Sequence, residues 1–192
     1  MATQQQRSQS TRAQLLKAFR AAFLKRGFDE TTTQDVLKQA GLSKGALYHH
    51  FRSKIEIVEA LYEDESGRAI TRALENVDRT APPLDQLKSA CLAWTQEVRS
   101  PSVSRVLFEI GPSALGPQRA KEIEDAKSLK HIEGLLEQAV AAGDLAPREP
   151  KLIAAFLNAL VAEAALHTLR TGADSAEVLG DAIDGLFNAL RP

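Results

Sequence analysis

TTQDVLKQAGLSKGALYHHFRSK, residues 32–54, decides the fold. Val36, Leu37 and Ala40 recur at helical spacing and stop at Gly41. Leu47 and Phe51 mark a second short helix that starts beside Ser43, a residue suited to cap it. Two short amphipathic helices joined by Ala40-Gly41-Leu42-Ser43 have the sequence form of a helix-turn-helix. In that motif the second helix enters the major groove, which is wide enough for one helix. Its exposed face would carry Lys44, Gly45, Tyr48 and His49. Gly45 lets a backbone come close, Tyr48 offers a rigid ring ending in a hydroxyl, and Lys44 and Lys54 supply cations to phosphates. Capped helix N-termini add amides suited to phosphate oxygens.

Working outward, apolar residues keep three- and four-residue spacing and never alternate as in a half-buried strand. Leu15, Leu16, Phe19, Ala22 and Phe23 form a stripe ended by Gly27. Ser53-Lys54-Ile55-Glu56 reads as a capping box that opens a longer helix through Val58, Leu61, Tyr62, Ala69 and Ile70. Pro82-Pro83, Pro101, Gly111-Pro112, Gly116-Pro117, Gly143 to Pro150 and Gly172 cut the rest into helical segments near 84–99, 102–110, 118–142, 150–171 and 175–190. The expectation is an all-α chain of about nine helices. A helix-turn-helix domain occupies 1–54, with 1–9 a disordered tail, and a helical bundle occupies 55–192.

Charge divides at the same place. The 192-residue chain has a net charge of -1, but residues 1–54 hold ten bases against three acids, leaving the remainder acidic. Such asymmetry suits a polyanionic partner for the first part, or a basic face that is merely solvated. The single cysteine excludes an intramolecular disulfide and fits a reducing cytoplasm. No uninterrupted apolar run reaches membrane-spanning length, and the first ten residues lack the apolar core of a signal peptide.

The run Gly27-Phe28-Asp29-Glu30-Thr31-Thr32, then Asp35-Val36, then Ala40 through Lys54, resembles the DNA-binding segment of tetracycline-repressor (TetR/AcrR) family regulators over most of residues 11–60. Leu37 stands where the family usually has Ala, and Thr33 where it often has Val. The resemblance implies that Thr32 and Lys54 touch phosphates. It implies that Gln34, Lys44, Gly45, Tyr48 and His49 face the groove with His50 near the backbone, and Thr33 and Ser43 complete the set. It also implies a homodimer, a palindromic duplex operator and a C-terminal domain for a small-molecule effector. Residues 106–116 resemble one C-terminal subtype of the family.

Several residues admit other readings. The other reading of Tyr48 is a ring that only covers a core edge. His49-His50 has the composition of a metal pair, but neighbours on a helix point about 100° apart and no third ligand is near, so no metal or cofactor is expected. Arg7 and Arg12 belong to a tail or to an arm that adds phosphate contacts. Cys91 is either a buried inert thiol or a redox sensor. Cys91, Trp94, Phe108, His131, Phe156 and Asn158 are candidates to line an effector cavity, though aromatics at helical spacing are also core. Residues 150–171 are apolar nearly all round, and 176–190 add a second stripe. Phe156, Leu160, His167, Ile183 and Phe187 are therefore expected in a four-helix dimer interface.

An enzyme is not expected, since no nucleophile-base set, metal-ligand spacing or phosphate loop is present. The expected function is a repressor released from its operator by a hydrophobic or amphipathic effector. The alternatives are a constitutive or redox-responsive regulator of the same fold, or a helical module that binds no DNA.

Overall fold

In the computed structural model, which describes residues 3–192, the regular structure of the described residues is all helical. The helices are α1 (Gln4–Arg26), α2 (Thr33–Ala40), α3 (Lys44–His50), α4 (Lys54–Glu75), α5 (Pro83–Glu97), α6 (Pro101–Ser104), α7 (Gly111–Leu115), α8 (Pro117–Ala141), α9 (Pro150–Thr171) and α10 (Ala176–Ala189). A π-helical turn, Arg105–Ile110, joins α6 to α7 without a break. With 101–115 taken as one interrupted helix, nine separate helices are present among the described residues.

The first helix starts earlier than its sequence suggested. Thr3 and Gln6 form a reciprocal capping box, so residues 4–9 are helix and not a tail. Residues 1 and 2 lie outside the described residues. Thr32 Oγ1 accepts from the Asp35 amide at 3.2 Å, Ser43 Oγ from Ala46 at 3.0 Å, and Ser53 Oγ from Glu56 at 3.1 Å. The Glu56 carboxylate reaches back one residue further than expected, to the Arg52 amide at 2.6 Å.

Two compact units divide the chain elsewhere than at residue 54. The first comprises residues 1–65 and 105–120, the second 66–104 and 121–192. In the first, α1 packs on α2, α3 and the π-turn. Its core holds Leu15, Phe19, Phe23, Val36, Leu37, Leu47, Phe51, Ile57, Leu61 and Tyr62. Arg20 and Glu65 cross it in a two-pronged ion pair at 2.8 and 3.1 Å, and Glu65 is 4 % exposed. In the second unit, α5, α9 and α10 pack on one another. Leu87, Cys91, Trp94, Ile132, Leu136, Leu157, Val161, Leu179, Ile183 and Phe187 are buried there.

The same unit corrects the expected interface. Ile183 and Phe187 belong to the core of the chain itself and are not available to an interface. The stripe of α10 that remains outside is Val178, Ala182, Gly185 and Ala189, on the other face from Leu179, Ile183 and Phe187. Although Asn158 and Glu163 interrupt its apolar run, α9 is long and apolar enough by length and composition to cross a membrane, with a mean hydropathy of 1.7 over its best window. Only 28 % of that window is buried. Leu152, Ala155, Phe156, Ala159, Leu160 and His167 are exposed along it.

Candidate nucleic-acid interface and bundle cavity

The second helix of the helix-turn-helix is held by what it buries. Leu47 and Phe51 are 2 % and 4 % exposed, which turns Lys44, Gly45, Tyr48 and His49 outward. Tyr48 covers no core edge, being 59 % exposed. A Cβ at Gly45 would meet only Ser43 Oγ, at 3.9 Å, so packing within the chain does not require glycine there. Thr32 and Gln34 are exposed at the start of α2, with Thr33 half-buried. Gly41 ends α2 at φ 65°, the left-handed conformation that reverses the chain toward Ser43.

Lys54 is differently employed from the expectation that it touches phosphate. Its Nζ donates to the carbonyls of Phe28 at 2.8 Å and Thr31 at 3.1 Å, and lies 4.0 Å from the centre of the Phe28 ring. The ammonium therefore braces the turn between α1 and α2, with two of its three donors committed. Thr32 also donates its hydroxyl proton to Asp35 Oδ2 at 2.7 Å.

His50 is half-buried, and burial, with the neighbouring charges of His49 and Arg12, holds its pKa below the ordinary value. The direction of that shift favours the uncharged imidazole. Arg12, left by the sequence as part of a tail or of an arm, is placed by its packing. It lies on α1 with its guanidinium carbon 5.3 Å from the centre of the Phe51 ring. Its place one turn before Leu15 and Leu16 was the available signal.

Within the second unit, α4, α5, α8 and α9 enclose a cavity of about 60 Å³. Cys91, Trp94, His131 and Asn158 line it, as the sequence suggested. Phe108 and Phe156 do not. Phe108 belongs to the other compact unit, and Phe156 is 49 % exposed on the outer face of α9. Sequence reading missed Ile70, Leu74, Leu87, Glu124, Ser128, Ile132, Leu135 and Val161, which carry no mark that separates a cavity wall from core. Asn158 donates to Asp125 Oδ1 at 2.9 Å. Burial pushes the Cys91 thiol up to about 12, far from the depressed values of reactive thiols.

Comparison with known proteins places these features in a family. A family model described as "Bacterial regulatory proteins, tetR family" matches residues 15–61. A second, "Tetracyclin repressor-like, C-terminal domain", matches residues 84–190. The HTH-type transcriptional repressor KstR2 of Mycobacterium tuberculosis is 34 % identical over 117 residues, 60 % of this chain and 58 % of that protein. The HTH-type transcriptional regulator TtgR of Pseudomonas putida is 42 % identical over 77 residues, 39 % of this chain and 37 % of that protein. The matched parts thus span little more than half of these relatives at most. A TetR-family transcriptional regulator from Rhodococcus sp., described as putative, superposes with a TM-score of 0.72 at 25 % identity. That superposition covers 95 % of this chain and 98 % of the other.

Proposed function

Because the chain belongs to the tetR family of bacterial regulatory proteins, we propose that it is a ligand-responsive, DNA-binding transcriptional repressor of the cytoplasm, without catalytic activity. The observation that carries the reading is α3: seven residues with an outward face of Lys44, Gly45, Tyr48 and His49 on an otherwise packed and capped scaffold. Residues 1–54 do the reading and 55–192 the sensing and pairing. Lys44, Tyr48 and His49 meet base edges from the major groove, and Gly45 admits the sugar-phosphate backbone. Gln34 reaches a groove edge. Thr33, Ser43 and His50 hydrogen-bond phosphates, and Thr32 does so once its hydroxyl proton turns away from Asp35, while Lys54 sets the position of α2 and has one donor left for a phosphate.

A second copy supplies the two-fold symmetry of a palindromic operator. Its support is the apolar outer face of α9 and α10, with Leu152, Phe156, Leu160 and Val178 exposed. The effector enters the bundle cavity. At about 60 Å³ that cavity is far below the ~300–1,000 Å³ of ordinary ligand pockets. An effector must therefore part α4, α5, α8 and α9 to fit. Since α4 runs from Lys54 to Glu75, past the Lys54 brace and into the cavity wall, it is the element that carries the change. A coupling of about 1–3 kcal/mol would alter operator affinity roughly 5- to 150-fold. Titration of mixed-sequence duplex DNA over a range of salt tests the reading. Affinity should fall steeply as salt rises. A salt-independent or undetectable interaction would remove the DNA-binding function.

A further inference from the structure

A second cleft, of about 380 Å³, opens within the C-terminal unit next to the apolar cavity, and the two share Leu74, His131 and Leu135. Their walls carry opposite charge. Glu124 is the one charged carboxylate side chain on the cavity wall, which has no Arg or Lys. The cleft has Arg79 and Lys130 with His131, and no Asp or Glu. Three helices agree on the direction from one to the other. The path runs from Ile70 on α4 to Val77 just past its end, from Trp94 back to Gln86 on α5, and from Glu124 to Gln138 on α8. The eight helical steps from Trp94 to Gln86 make it ~12 Å long.

Two details set the cleft apart from an ordinary surface hollow. Gln86 Nε2 donates to the carbonyls of Arg79 at 3.2 Å and Ala81 at 2.7 Å, and Asp78 Oδ1 accepts from the Thr80 amide at 2.9 Å and hydroxyl at 2.7 Å. The turn that carries Arg79 is thereby fixed in place. Gly134 lies inside α8, where glycine weakens a helix relative to alanine. A Cβ there would meet nothing within 4 Å, so no packing requirement explains it, and it lines the cleft. Neither Arg79 nor Lys130 pairs with a carboxylate among the described residues.

We infer that this cleft is the head-group subsite for an amphipathic anion. The apolar body lies in the cavity against Trp94, and a carboxylate or phosphate lies between Arg79 and Lys130 beside Gly134. The inference rests on the ligand-responsive reading and adds a ligand class to it.

Trp94 is the only tryptophan, so its emission reports on the cavity. Decanoate, decyl phosphate, decanol and decyltrimethylammonium, each below its micellar concentration, are titrated against the full chain without DNA. Decanoate and decyl phosphate should bind at least ten-fold tighter than decanol and the cation, and the tighter of the two identifies the head. The double variant R79Q/K130Q should bring both acids to the affinity of decanol and leave decanol unchanged. Gly134→Met should weaken both acids ten-fold without lowering the melting temperature. Equal binding of decanol and the acids, no response to either acid, or an acid preference that survives R79Q/K130Q would overturn the subsite. Acid binding that leaves duplex DNA affinity unaltered would keep the subsite and overturn the ligand-responsive reading instead.

Discussion

The ring of Tyr62, on α4, occupies the space that a side chain at residue 111 would need. A Cβ at Gly111 would stand 2.1 Å from Tyr62 Cδ2 and 2.4 Å from Cε2, with the Val106 carbonyl oxygen at 3.0 Å. The π-turn Arg105–Ile110 delivers Gly111 to this position, and Arg105 reaches the Leu24 carbonyl on α1 while Arg119 pairs with Glu59 on α4. π-Turns inside helices are uncommon and often mark functional segments. Here the turn seats 105–115 on the same unit as the helix-turn-helix. Gly111→Ala should therefore lower stability by about 1–3 kcal/mol through overpacking. Urea unfolding should show an earlier midpoint, and an unchanged midpoint would mean that the ring moves aside freely.

The two lysines of the reading motif should separate in experiment. Lys54→Ala removes two hydrogen bonds that tie down the turn before α2. It should cost about 1–2 kcal/mol of stability and weaken binding to all DNA sequences alike. Lys44→Ala, on an exposed position, should leave the melting temperature unchanged. If Lys44 meets a guanine edge, the change costs about 1–3 kcal/mol of operator affinity and relaxes one base position per half-site. Uniform loss with no change in base preference would remove Lys44 from base readout.

Sedimentation should distinguish α9 from α10. Leu160 is 38 % exposed, so Leu160→Glu should give a folded monomer with reduced operator affinity. Phe187 is 5 % exposed in the core of one chain, so Phe187→Glu buries an unpaired charge and should unfold it. A stable dimer carrying Leu160→Glu would move the interface off this face.

Cys91 gives a prediction in pH. The folded state keeps the thiol proton to about 12, whereas the unfolded chain loses it at the ordinary value of 9.0. Stability from this residue is full below pH 9 and falls as pH rises toward 12, by at most ~1.4 kcal/mol per pH unit. The difference in melting temperature between the wild type and Cys91→Ala should shrink across that window. The thiol should also resist disulfide reagents at pH 8 until the protein unfolds. Rapid modification with loss of DNA affinity would revive the redox-responsive alternative.

Much of this architecture was legible because glycine, proline and capping residues punctuate it. Pro150–Thr171 coincides with its expected span, α2 stops at Gly41, and α3 starts right after Ser43, as the sequence indicated. The start of α1 was missed although Thr3 and Gln6 present the same capping signal that was read at Ser53, since the glutamine run suggested a tail. The π-turn was missed because Pro101 and Gly111-Pro112 read as breaks, whereas proline in the first turn of a helix interrupts nothing. Phe187 and Phe156 were both assigned to the interface on residue type. An apolar side chain looks the same in sequence whether its own chain or a second copy covers it. On α10 only the register of 179, 183 and 187 against 178, 182, 185 and 189 separates the two faces.

Selection of bound duplexes from a random library, with the full chain and at several salt concentrations, puts the operator reading to the test. One two-fold symmetric site bound by a dimer should be enriched, with half-sites about one helical turn apart or a multiple of it. Tyr48→Ala should abolish the enrichment while the protein stays folded. No enriched sequence, or an enriched site that Tyr48→Ala and Lys44→Ala bind as the wild type does, would contradict it.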